Sequence, residues 1–129
     1  MYTWEALQLP AIWFAELGEH PDSCVQEGCR PVLILSNNVG NDHGNIVTVA
    51  PLTSKQKKWW IPAHVMLEPF EMEISGDFNK PFEAAMALME QLTTIDKSAL
   101  KTYVGRVTDD VKITEIEAAV RIQLGMEEI

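Results

Sequence analysis

Residues 27–38 read EGCRPVLILSNN, and a few positions further on residues 45–55 read NIVTVAPLTSK. The first holds an unbroken run of Val, Leu and Ile over 32–35, and the second a β-branched run, Ile46-Val47-Thr48-Val49. The first run ends at Asn37-Asn38 and the second near Pro51. β-branched runs bounded by such residues predict two buried strands. The intervening 39–45, VGNDHGN, is rich in Gly and Asn and reads as turn.

Working outward, 11–17 (AIWFAEL) is a further apolar and aromatic run, read as a strand. Residues 18–31, GEHPDSCVQEGCRP, have loop composition, and a loop this long in a compact domain often has a functional reason. Residues 54–60, SKQKKWW, form a basic and aromatic loop, and 61–67, IPAHVML, read as a strand. Gly76-Asp77 and Lys80-Pro81 mark turns in 68–84, an irregular excursion. Residues 84–95, AAMALMEQLTTI, are ambiguous from the residues alone, though their Ala and Met favour helix. A brief helix is expected over 96–100, capped by Asp96 or Thr94, and a strand over 103–107, YVGRV. From Thr108 the period becomes 3.6. Val111, Ile113, Ile116, Ala119, Val120, Ile122 and Leu124 form a stripe, with Thr108 as N-cap and Gly125 closing the helix. The sum is a mainly β chain with helices (α+β), a compact barrel or roll.

The 129 residues, 47% of them hydrophobic, suit one domain over 1–129. No apolar run approaches the ~20 residues of a spanning helix. The opening MYTWEALQLP has no basic segment and includes Glu5, so a cytoplasmic protein is expected, with no membrane contact. A net charge of −9 argues against a general nucleic-acid coat protein. It leaves room for a local basic patch, and Lys55, Lys57 and Lys58 make one. Cys24 and Cys29, with His20, His43 and His64, match no zinc spacing, so reduced thiols and no metal or cofactor are expected. Phosphate-binding glycine loops, His-x-x-x-His pairs and nucleophile elbows are absent.

Arg30-Pro31-Val32-Leu33, Pro51-Leu52-Thr53-Ser54 and Thr94-Ile95-Asp96-Lys97 follow one another at distances that resemble the PemK/MazF family of toxin ribonucleases. The resemblance runs from about Ile12 to Gly125. It implies an SH3-like β-barrel of the PemK/MazF/CcdB type with a C-terminal helix. It also implies a strand in the second half of 84–95, a homodimer, a small antitoxin protein as partner, and sequence-selective cleavage of single-stranded RNA. The family's active-site Arg and Thr fall on Arg30 and Thr53. The chain departs from the pattern at Pro10-Ala11, Val25-Gln26 and Thr93, and its segment between His64 and Glu90 is longer. The same barrel also suits a catalytically lapsed module that binds nucleic acid or protein, as a gyrase poison does.

RNA carries its own nucleophile, the ribose 2′-hydroxyl, so cleavage needs a proton acceptor, a proton donor and a charge clamp, and no metal. The guanidinium fork of Arg30 suits the clamp. The hydroxyls of Thr53 and Ser54 can donate to a phosphate or to the leaving oxygen. For the base, Glu27, His20 and His64 stay open, with Glu27 only three residues from Arg30. Lys55, Lys57 and Lys58 can meet phosphates while Trp59 stacks on an unpaired base. Of Trp59 and Trp60, alternation on a strand edge predicts one inward and one outward. His64 and Gln91 complete the expected RNA contacts, with Gln91 placed to read a base edge.

Overall fold

The computed structural model describes residues 9–127 except 22, 24 and 56, and only the backbone at 38, 39 and 42. The described residues form eight strands: β1 (Ala11–Glu16), β2 (Cys29–Ile34), β3 (Ile46–Thr53), β4 (His64–Leu67), β5 (Met72–Ile74), β6 (Ala85–Leu88), β7 (Thr93–Asp96) and β8 (Leu100–Val107). A short helix, α1 (Asn38–His43), joins β2 to β3, and α2 (Asp110–Gln123) follows β8. The sheet runs β4-β6-β3-β2-β1-β8-β5, with β7 also on β3, and all pairs are antiparallel. β3 is the hub. Its first half pairs with β7, its middle with β2, and its end, at Leu52 and Thr53, with β6. A strand shared in this way curls the sheet into the SH3-like half-barrel of a mainly β, α+β fold.

The unbroken apolar runs have a structural reason: the sheet is buried on both faces. Ile12, Leu33, Ala50 and Leu52 point to one core, closed by Ile116 and Ala119 of α2. Trp13, Val32, Ile34, Val47 and Val49 point to the other, against Leu100 and Tyr103. Val32, Leu33 and Ile34 are all fully buried. At the far edge a register shift between β1 and β8 brings Gly105 against β5. A Cβ there would lie 2.2 Å from the Glu73 carbonyl oxygen, so no side chain fits.

Several expectations are corrected. The Gly/Asn stretch after Asn37 is helical over Asn38–His43, because the Asn37 side chain accepts from the Gly40 amide and caps it. Strand β4 starts only at His64; residues 57–63 turn. Ala85–Leu88 is strand despite its helix propensity, since its four residues are buried between β3 and β4. Residues 89–91 make one 3-10 turn before β7. The expected helix at 96–100 is a 3-10 turn, Lys97–Ala99, with Asp96 at its N-cap but no side-chain cap bond. Asp109, not Thr108, caps α2, its carboxylate accepting from the Lys112 amide at 2.9 Å. Thr108 lies against the Glu71 carbonyl instead. Gly125, at φ 72°, closes α2: its amide donates to Ile122 and that of Met126 to Arg121. Val111 and Leu124, at the ends of the apolar stripe, are exposed.

Candidate active site

The β2–β3 ladder matches Ile34 with Val49, Leu33 with Ala50 and Val32 with Pro51. Carried two residues further in the same register, it sets position 30 opposite position 53. By alternation both belong to the face of Val32, Ile34, Val47 and Val49. Two residues 23 positions apart are thus brought together at the end of the hairpin by the pairing of two buried runs.

Arg30 is exposed, yet its base is held. Its backbone pairs with Ala15, and its Nε donates to the Glu27 carbonyl at 3.0 Å. Its terminal guanidinium nitrogens meet no acceptor among the described residues. Thr53 is buried, and its hydroxyl oxygen accepts from the Lys55 amide at 3.1 Å, which leaves the hydroxyl proton available. Ser54 and Lys55 follow, both exposed.

The long first loop is pinned by its own polar groups. The Glu27 carboxylate accepts from the His20 amide at 2.6 Å, and the Glu16 carboxylate from the Gly18 amide at 3.0 Å. His20 Nε2 donates to the Leu17 carbonyl at 2.9 Å. Gln91 fixes the loop from outside, its Oε1 accepting from the Gln26 amide at 2.8 Å. No ion pair joins Glu27 to Arg30 among the described residues, so the carboxylate is not consumed by the guanidinium. Cys29 is a free, exposed thiol at the start of β2; Cys24 lies outside the described residues.

Lys57, Lys58, Trp59 and Trp60 form an exposed turn. The expectation of one inward and one outward tryptophan is corrected: Trp59 is 64% and Trp60 66% exposed. Strand alternation does not govern a turn, and the two rings instead meet edge to face, their centroids 6.1 Å apart. His64 fastens this turn to the barrel. Its Nδ1 donates to the Lys58 carbonyl at 2.8 Å, and its Nε2 hydrogen-bonds the Glu90 carboxylate. Only 6% of its side chain is exposed. Both ring nitrogens are engaged, so His64 stands behind the turn and offers no free nitrogen to a substrate.

The geometry thus brings Arg30, Thr53, Ser54, Lys55 and Glu27 to one end of the sheet. A feature not read from the sequence joins them: a cavity of about 220 Å³ between this end and residues 78–85, lined by Phe14, Phe78 and Phe82 together with Arg30, Ser54 and Glu83. Phe78 and Phe82, four apart in an otherwise polar stretch, were the available signal. Among the described residues no three His, Cys, Asp or Glu side chains converge as metal ligands. No helix among them is long and apolar enough to cross a membrane.

Residues 10–124 match the family model described as PemK-like, MazF-like toxin of type II toxin-antitoxin systems. The chain belongs to this family. It is 35% identical over 104 residues to a protein of Staphylococcus saprophyticus named Endoribonuclease MazF, covering 81% of this chain and 80% of that one. Its fold is similar to a mycobacterial endoribonuclease solved in complex with its cognate antitoxin, at a TM-score of 0.71 and 24% identity, over 95% of this chain and 98% of that one. It is also similar to the Mycobacterium tuberculosis toxin MazF-mt6, at a TM-score of 0.69 and 20% identity, over 91% and 98%.

Proposed function

We infer that this chain is a sequence-selective endoribonuclease toxin that cuts single-stranded RNA, on a site built by Arg30, Thr53 and Glu27. One observation carries the reading: the β2–β3 ladder pairs Val32 with Pro51, a register that, extended by two residues, faces Arg30 with Thr53, and the terminal guanidinium nitrogens are unpaired among the described residues. Family membership and the 35% identical endoribonuclease support the activity.

In this reading a base takes the proton of a ribose 2′-hydroxyl. The freed oxygen attacks the adjacent phosphorus, and the bond to the 5′ oxygen breaks as that oxygen accepts a proton. The products are a 2′,3′-cyclic phosphate and a 5′-hydroxyl. Arg30 holds the phosphoryl oxygens as their charge builds. A guanidinium does not give up its proton in a protein, so Arg30 is the clamp and not the base. Thr53, with Ser54 beside it, donates to the phosphate or the leaving oxygen. Among the three candidate bases, both ring nitrogens of His64 are engaged and His20 is tied to Leu17, while Glu27 keeps further lone pairs on an exposed carboxylate. Glu27 is therefore the base. Lys55, Lys57, Lys58 and Trp59 take the flanking strand, and Gln91 and His64 hold the surrounding loops.

The reaction supplies its own nucleophile and needs no metal ion. The same reading gives a homodimer and a small antitoxin as partner, covering the Arg30 and Thr53 site. It places the protein in the cytoplasm, as one domain over 1–129.

The test is incubation with long single-stranded RNA in EDTA, with end analysis of the products. Cyclic-phosphate ends are expected, and Arg30→Ala lowers kcat by roughly 10²–10³-fold, the effect of losing one charge-stabilising donor. Glu27→Gln keeps an oxygen for the His20 amide while removing the base, and kcat falls by about 10²–10⁴-fold. A strict magnesium requirement overturns the mechanism. Binding of RNA without any cutting gives the lapsed-module reading instead.

A further inference from the structure

We propose that the cavity walled by Phe14, Phe78 and Phe82 is the pocket for the nucleobase next to the cut phosphate, and that Glu83 selects an amino-bearing base over uracil there. The proposal rests on the RNA-cutting reading and adds to it a subsite contributed by the long segment between His64 and Glu90.

Arg30 and Ser54 line the cavity beside Phe14 and Leu52, across the end of the sheet from Thr53, so on the RNA-cutting reading a base seated there lies next to the phosphate that Arg30 clamps. At about 220 Å³ it is far larger than the ~30 Å³ share of a water molecule. Its walls suit a base. Phe14 and Phe78 lie nearly parallel, with centroids 6.2 Å apart and planes 22° from each other. Phe78 and Phe82 are half-buried against the main core, so their rings are held before any ligand arrives. Single-stranded RNA is recognised by bases splayed onto such rings and read along their edges.

The edge partner gives the selectivity. Glu83 is exposed at the lip of the cavity. An ionised carboxylate only accepts hydrogen bonds. Adenine, cytosine and guanine each present an amino group to it. Uracil presents one N–H flanked by two carbonyl oxygens, which a carboxylate repels.

The test separates this subsite from the reaction. Affinity is measured for single-stranded oligoribonucleotides made uncleavable by 2′-deoxy substitution, with abasic residues placed at each position in turn. Wild type is expected to lose roughly 5- to 150-fold at one position beside the cut, the range of one base–aromatic stack. Phe82→Ala loses as much with the intact strand and is insensitive to the abasic residue at that position. Phe82→Leu, which keeps an apolar wall without a π face, behaves in the same way and guards against misfolding. Glu83→Gln binds uracil at that position relatively better than wild type does. If the abasic scan is flat, or Phe82→Leu leaves it unchanged, the pocket proposal is overturned while cutting by wild type still stands. If wild type never cuts yet shows this pattern, the nuclease reading falls and the pocket remains.

Discussion

Arg30 and Lys58 are both cations beside loops, and the fold holds them by opposite means. At Arg30 the backbone lies in the sheet, and a loop carbonyl, that of Glu27, steadies the side chain. At Lys58 the backbone has left the sheet at φ 54°, and a barrel side chain, His64, steadies the loop's carbonyl. One region fixes a charge in place. The other fixes a platform and leaves its charges to reach. Stabilising a transition state requires the first arrangement, since only preorganised charge acts without reorganisation cost. Collecting a flexible anionic strand requires only the second.

The largest effect that could break this contrast is in the fixed region. Arg30→Lys keeps the charge but loses the planar fork and its Nε anchor on Glu27. We expect kcat to fall by about 10²–10³-fold, close to the loss in Arg30→Ala, with KM little changed. Because Arg30 is exposed, thermal melting stays within about 0.5 kcal/mol of wild type. A lysine that restores most of the activity shows that position 30 needs only a charge, and the contrast fails.

The next effect lies in the clasp. His64→Ala strips the Lys58 carbonyl and the Glu90 carboxylate of their shared partner. Removing a largely buried hydrogen-bonding side chain costs about 1–3 kcal/mol in unfolding by urea. Loss of the platform raises KM for RNA several-fold, with kcat kept. If kcat collapses instead in a still-folded His64→Ala protein, the imidazole takes part in the chemistry and the division between the regions is wrong.

The same contrast explains what could be read from the sequence. Apolar β-branched runs bounded by turn residues are a local signal, so PVLILS and NIVTVAPLT announced two buried strands, and their register, extended by two residues, faces Arg30 with Thr53. The turn at 57–60 has no period. Applying strand alternation to Trp59 and Trp60 buried one of them, whereas the turn exposes both. The His64 clasp was illegible for a related reason: one imidazole links the Lys58 carbonyl, six positions away, to the Glu90 carboxylate, 26 positions away, and neither contact leaves a pattern in the sequence. Ala85–Leu88 was ambiguous because its strand form comes from burial between β3 and β4, a tertiary effect that outweighs local propensity. The aromatic cavity went unread because Phe14 comes from one end of the chain and Phe78 and Phe82 from an irregular excursion far along it.

The smallest effect tests whether the reaching charges do what the platform implies. Lys57 is exposed, and its ammonium has no partner among the described residues. If it meets one phosphate of a single strand, Lys57→Ala lowers the slope of log affinity against log salt by about 0.7. Kcat and thermal melting stay as in wild type, and the loss of affinity shrinks as salt rises. Lys101 is the control, since its Nζ donates to the Ser98 carbonyl beside the turn before β8. Lys101→Ala leaves the slope unchanged. On a body of net charge −9, remote lysines cannot collect RNA unless their neighbourhood is locally positive, and only the 55–58 cluster provides that in the sequence. Equal slope changes for both variants would mean that binding follows overall charge, and the turn would then have no special part in holding the strand.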